Sequence, residues 1–164
     1  MGTEIERRYI VQGNKWKKFI KNSQDLKQGY LITNKNGWTI RVRIIDNKEA
    51  NLTLKYPKEG IERYEYEYLI PLSEGEELLE LAKYKIIKTR YQLQMGKKLW
   101  FIDCFKGKNF PLVLAEIELK SSEEIFDKPE WCSIEVSSLK EWSNAGLAKL
   151  PLSMRPIEKR RVFL

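Results

Sequence analysis

The chain has 164 residues, 42% of them hydrophobic and 32% charged, with a net charge of +7. That is enough apolar material for one domain with its own core, spanning 1–164, and the positive balance favours an anionic partner. Histidine is absent, which excludes serine–histidine triads and histidine metal sites and leaves oxygen ligands, hence hard divalent cations, for any metal. Cys104 and Cys132 form no metal or redox motif and are expected as reduced thiols. No run approaches the roughly 20 apolar residues of a membrane-spanning helix, and the N-terminus lacks an apolar signal core. A cytoplasmic protein with no membrane partner is the expectation.

In chain order, the first strand spans 3–11 and places Glu4, Glu6 and Arg8 on one face, alternating with Ile5, Arg7 and Tyr9. "KWKKFI" predicts a helix around Trp16. Strands follow at 29–33, 38–46, 50–57 and 62–70, separated by "NKNG", "DNKEAN" and "PKEG". Arg41 and Arg43 oppose Ile40 and Val42; Lys55 opposes Leu52 and Leu54; Glu65 and Glu67 oppose Tyr64, Tyr66 and Tyr68. "SEGEELLELAKY" reads as a helix opened by a Ser73–Glu76 capping box. Strands at 86–95, 98–106 and 112–120 carry Lys88 and Arg90, then Asp103, then Glu116 and Glu118, on their charged faces. "SSEEIF" predicts a short helix and "SLKEWSNAGLAKL" a last one over 139–149. Trp100, Trp131 and Trp142 read as packing anchors. The ending "EKRRVF" offers a basic surface patch or a solvated tail.

Short gaps imply antiparallel neighbours, so the fold class is α+β, mainly β: an eight-stranded antiparallel closed barrel with flanking helices. A barrel filled with its own apolar core would leave amphipathic helices only a charged exterior to pack on. Turned inside out, the apolar faces lie under the helices and the charged faces line a tunnel. Burying so many charges is costly unless they pair or bind a guest. Arginines suit phosphate oxygens, and grouped carboxylates suit divalent cations that bridge to phosphate.

"EIERRY" resembles the ExExK signature of the CYTH superfamily, the triphosphate tunnel metalloenzymes. "TIRVRI", "LTLK", "RYEYEY", "KTRY", "WFIDCF", "LAEIEL" and "IEVSSLKEWSNAGLAKLP" follow in order, as in the short bacterial single-domain forms. The resemblance implies a barrel enclosing a tunnel, and hydrolysis of inorganic triphosphate with Mg2+ or Mn2+. It implies Glu4, Glu6, Asp103, Glu116 and Glu118 as metal ligands or groups orienting metal-bound water, with Glu65 and Glu67 in the same acidic lining. Arg41, Arg43, Lys55, Lys88 and Arg90 would hold phosphates. Tyr30 matches a tunnel tyrosine of the short forms. One position departs: the last signature lysine, often paired catalytically with the lysine matching Lys88, is Arg8 here. A guanidinium still binds phosphate but does not yield a proton at neutral pH. Alternative activities within the superfamily are adenylate cyclase and nucleoside or thiamine triphosphatase. A non-catalytic binder of polyphosphate or phosphorylated RNA is a third reading, with nucleic acid not favoured. The chain is expected as a monomer or homodimer.

Overall fold

A computed structural model describes residues 2–34 and 36–160. The strands are β1 Gly2–Val11, β2 Ile20–Thr33, β3 Thr39–Ile45, β4 Glu49–Pro57, β5 Glu62–Ile70, β6 Tyr84–Met95, β7 Lys98–Phe105, β8 Val113–Glu118 and β9 Cys132–Glu135. They pair antiparallel in the order β5-β4-β3-β2-β6-β7-β8-β1-β9, and β1 also pairs with β5. That last pairing closes an eight-stranded barrel, the architecture expected from the alternating charges. Among the described residues no helix is long and apolar enough to cross a membrane.

Two strand features escape the sequence pattern. β2 starts at Ile20 instead of 29: residues 21–25 are exposed and polar on both faces, yet ladder bonds to β6 hold the segment as strand. Such a stretch shows no apolar alternation to read. β9 is four residues long and pairs with β1 at Tyr9 and Val11, beyond the point where β5 leaves the same edge.

The helices differ more. α1, Leu72–Leu81, starts with Pro71 at its N-cap and no side-chain capping bond, so the Ser73–Glu76 box is not used. Residues 15–19 form a 3-10 helix. "SSEEIF" is a turn in place of a helix. There the Glu124 carboxylate accepts from the Lys120 amide at 2.6 Å and pairs with Lys98, which ties the segment down as a loop. The 139–149 stretch is a 3-10 turn at Lys140–Trp142 followed by α2, Asn144–Lys149. Extended Ser143 separates them, and its hydroxyl accepts from the Gly146 amide at 3.0 Å. α3, Ile157–Arg160, ends the described chain; the last part of the "EKRRVF" patch, 161–163, lies outside the described residues.

The apolar outer faces are covered in two ways. α1 packs on β2, β3 and β4, so closely that a Cβ at Gly75 would stand 2.3 Å from the Ala50 Cβ. The outside of β1, β6, β7 and β8 buries Tyr9, Leu93, Trp100 and Ile117 beneath Phe126 and Trp131. α2 does something else. Ile10, Ile86, Phe105 and Leu114 each stand two residues beyond a charged inward position, so they point into the barrel. They cluster with Trp142, Leu147, Ala148 and Leu152. At this end the inner faces become apolar and α2 is wedged against them, instead of lying on the outer wall as the sequence suggested.

Candidate active site

Above that plug, the inward side chains surround a cavity of about 690 Å³. Its wall includes Glu4, Glu6 and Arg8 from β1, Tyr30 from β2, Arg41 and Arg43 from β3 and Lys55 from β4. Glu65 and Glu67 come from β5, Arg90 from β6, and Glu116 and Glu118 from β8. Lys88 and Asp103 also point inward, but both are fully buried behind that lining.

Register decides which charges meet. Across β1 and β8, Arg8 lies opposite Glu116; across β6 and β7, Arg90 lies opposite Asp103; across β4 and β5, Lys55 lies opposite Glu65. Each is a made ion pair: Arg8 Nε to Glu116 Oε1 at 3.0 Å, Arg90 Nε to Asp103 Oδ1 at 2.7 Å, Lys55 Nζ to Glu65 Oε2 at 2.7 Å. Lys55 also reaches Glu4 at 2.6 Å, and Arg8 also pairs with Glu6. Arg90 also holds Glu116, and Lys88 donates to Asp103 Oδ2 at 2.5 Å. Burial disfavours the ionised carboxylates of Asp103 and Glu116, yet Arg90 with Lys88, and Arg90 with Arg8, keep both below the usual carboxylate range. For Lys88 burial prevails over Asp103 and pulls the ammonium down to about 7.

Two places in the same cavity are compensated less fully: Glu6 has Arg8, but Glu118 has no ion pair among the described residues. Register sets Glu6 directly opposite Glu118, a like-charge pair that costs free energy. Burial followed by Glu116 and Glu4 raises Glu6, and burial followed by Glu4, Glu65 and Glu6 raises Glu118. The second place is β3. Arg43 donates to Gln28 Oε1 at 3.0 Å, and among the described residues it forms no ion pair. Burial, then Arg41 and Arg90, push it down to about 9. A guanidinium stays charged at neutral pH, so the shift marks an unmatched cation. Arg41 reaches Thr53 at 2.9 Å and Glu67 at 3.3 Å, but its buried Nε has no partner.

The carboxylate group accordingly suits a hard divalent cation: it offers oxygen donors and repels itself without one. As placed, no three acidic groups among the described residues surround a common point, since Lys55 joins Glu4 to Glu65 and Arg8 joins Glu6 to Glu116.

Residues 2–145 match the family model of the CYTH domain. The chain belongs to the CYTH family. An inorganic triphosphatase of Acetivibrio thermocellus is 40% identical over 153 residues, covering 92% of this chain and 96% of that protein. An inorganic triphosphatase of Nitrosomonas europaea is 33% identical over 150 residues, covering 89% and 97%. A crystal structure of an inorganic triphosphatase aligns with a TM-score of 0.62 at 31% identity, over 90% of this chain and 95% of that one.

Several side chains of this CYTH cavity carry no clear signal in the sequence. Gln28, fully buried, accepts from Arg43 and donates to the Tyr30 hydroxyl at 3.1 Å. It shares the Tyr30 face, which a β2 starting at 29 leaves out. Thr53, on the Lys55 face, donates to Glu67 Oε2 at 2.8 Å and so fixes that carboxylate beside Arg41. Asn144 accepts from Lys88 Nζ at 2.8 Å. No periodicity marks it, because its segment reads as an ordinary amphipathic helix.

Proposed function

We propose that the chain hydrolyses inorganic triphosphate, releasing its terminal phosphate, and that it requires Mg2+ or Mn2+. The observation that carries this reading is charge of both signs left over in one cavity: Arg43 and the Arg41 Nε on β3, and on β8 Glu118, which forms no ion pair among the described residues and lies opposite the Arg8-bound Glu6. A phosphate chain together with a divalent ion satisfies both. The lining supplies two aromatic rings, Tyr30 and Phe101. Trp38, Tyr56, Tyr64 and Tyr66 line a separate outer groove, which favours an inorganic substrate over one with a base to stack.

Arg41 and Arg43 bind the phosphate chain through forked guanidinium contacts. Arg8 and Arg90, locked by Glu6, Glu116 and Asp103, hold fixed positive charge at the wall where charge develops on phosphate oxygens. Tyr30, oriented by Gln28, borders the same space. Glu4, Glu6 and Glu118 would hold the ion, with Glu116 and Asp103 tied more tightly into ion pairs. When bound, the ion neutralises phosphate charge and makes water a better nucleophile. Arg8 cannot serve as a base, so a proton can be taken by a carboxylate or by Lys88, whose Nζ burial brings near neutrality.

The test is phosphate release from inorganic triphosphate with Mg2+, with Mn2+ and with chelator. Turnover that chelator abolishes is expected. Turnover that chelator leaves intact would remove the ion from the reading. Tight, salt-sensitive binding of polyphosphate without release would replace the hydrolase by a binder.

A further inference from the structure

The barrel presents Lys88 from behind a residue that does not belong to the barrel. Lys88 is fully buried, and its ammonium is shared between Asp103 Oδ2 at 2.5 Å and Asn144 Oδ1 at 2.8 Å. Asn144 lines the cavity and Lys88 does not. Asn144 therefore joins the buried ammonium to the cavity wall: its Oδ1 accepts from Lys88 and its Nδ2 donates to Glu116 Oε1 at 3.5 Å. The asparagine is itself firmly held. Ser143, just before it, caps α2, and Arg8 donates to the Trp142 carbonyl at 3.5 Å. A Cβ on Gly146 would stand 2.3 Å from the Lys140 carbonyl oxygen, so α2 sits tightly on the turn before it. Leu147 and Ala148 are buried in the plug.

We propose that Asn144 is a positioning residue for Lys88: its amide oxygen holds the place of a phosphate oxygen and yields it when triphosphate enters. This rests on the reading of the cavity as a triphosphate site. Lys88 exchanges one neutral acceptor for an anionic one while keeping Asp103, and charge-assisted hydrogen bonds are the stronger kind. The plug that closes the barrel thereby also sets how readily Lys88 meets substrate.

The placeholder role predicts opposite effects from two substitutions at one position. Asn144→Ala removes the Lys88 bond from the free protein, together with the long contact to Glu116, which keeps Arg8 and Arg90; inorganic triphosphate should then bind about fivefold more tightly, the scale of one ordinary hydrogen bond. Asn144→Asp clamps Lys88 and repels the polyanion, so binding should weaken about tenfold or more. Both follow from calorimetric titration of inorganic triphosphate at a fixed excess of Mg2+, with thermal unfolding measured alongside. Equal affinities, or weakening in both variants alongside a lower Tm, would reduce Asn144 to a structural part of the plug. In a Lys88→Ala background the Asn144→Ala gain should vanish; if it persists, the effect does not pass through Lys88 and the proposal is overturned. If the unsubstituted protein neither binds nor hydrolyses triphosphate, the proposed function falls and this inference falls with it.

Discussion

On the wall formed by β6, β7, β8 and the lower part of β1, three cations meet three anions. Arg8, Lys88 and Arg90 answer Glu6, Asp103 and Glu116 through a chain of contacts. Across the cavity on β3, Arg43 has the neutral Gln28, and Arg41 leaves its Nε bare. Both walls face inward, but the cavity-lining residues of β2, β3 and β4 include no carboxylate. Register pairs the cations of the first wall with carboxylates of the next strand, whereas β3 lies between two strands that offer none to the cavity. A buried charge that is already paired belongs to the architecture, and removing its partner damages the fold. A buried charge without a partner is costly until something matches it, and on the proposed function that something is the phosphate chain, so removing the charge should damage binding.

The largest effect that separates the walls should come from Arg90→Ala. It would leave Asp103 without its forked partner and Glu116 with Arg8 alone. Loss of one member of a buried ionic cluster costs about 3–5 kcal/mol. In a chain of this size that lowers the Tm by roughly 6–20 °C, read by thermal unfolding. An unchanged Tm would mean that the paired wall is not structural. Arg43→Ala should do the converse. Triphosphate affinity should fall about ten- to a hundredfold, as for a hydrogen bond to a charged group, while the Tm holds or rises because an unmatched cation has gone. A Tm that falls with unchanged binding would undo the comparison.

The carboxylates divide along the same line, and pH should show it. Glu116 and Asp103 have folded-state values below their ordinary 4.5 and 3.8, so their stabilisation is present above those values and is lost as pH falls through the depressed ones. Glu6 and Glu118 are raised above 4.5. For them the folded state holds protons more tightly than the unfolded chain, so stability declines as pH rises from about 4.5 through the raised values. Without a divalent ion, stability should therefore fall as pH rises from about 4.5 towards neutrality, before Lys88, held down at about 7, begins to restore it above that pH. Mg2+ or Mn2+ should lift the neutral-pH Tm and flatten that decline. Glu118→Gln should raise the metal-free Tm at pH 7 by a few degrees and shift metal saturation to higher concentration. A metal-free Tm flat between pH 4.5 and 7 would deny the surplus charge on this side.

Much of this arrangement is legible in the amino-acid sequence. Period-two alternation assigns Glu4, Glu6, Arg41, Arg43, Glu65, Glu67, Lys88, Arg90, Asp103, Glu116 and Glu118 to inward faces, because a strand leaves no other choice of side. Barrel closure follows from about eight strands joined by short gaps in one small domain, and the amphipathic helices decide which face turns inward. Pairing is not legible. Whether Glu118 faces Glu6 or Arg8 depends on a shift of two residues between β1 and β8, which conserves every inward face and every charge. The reach of β2 back to Ile20 is hidden for the same reason as Gln28: a polar strand held by ladder bonds has no apolar rhythm. Asn144 is hidden because its helix looks like a cover for the outer wall and is instead a plug.

The smallest effect should come from the position that departs from the family signature. Arg8 makes contacts in three directions: Nε to Glu116, one terminal nitrogen to Glu6, the other towards the Trp142 carbonyl. Burial works against its charge, and Glu6 and Glu116 more than restore it. In Arg8→Lys a single ammonium must choose among those acceptors. The fold should lose about 1 kcal/mol, the net worth of an ordinary hydrogen bond, because the two carboxylates keep a cation between them. Triphosphate turnover should change by less than about tenfold, since the unmatched charges on β3, which Arg8 does not touch, dominate binding. Turnover that appears only in Arg8→Lys would instead mean that the guanidinium has silenced the chemistry while leaving the cavity able to bind. The β3 wall would then be the part of the site that survives in the natural chain.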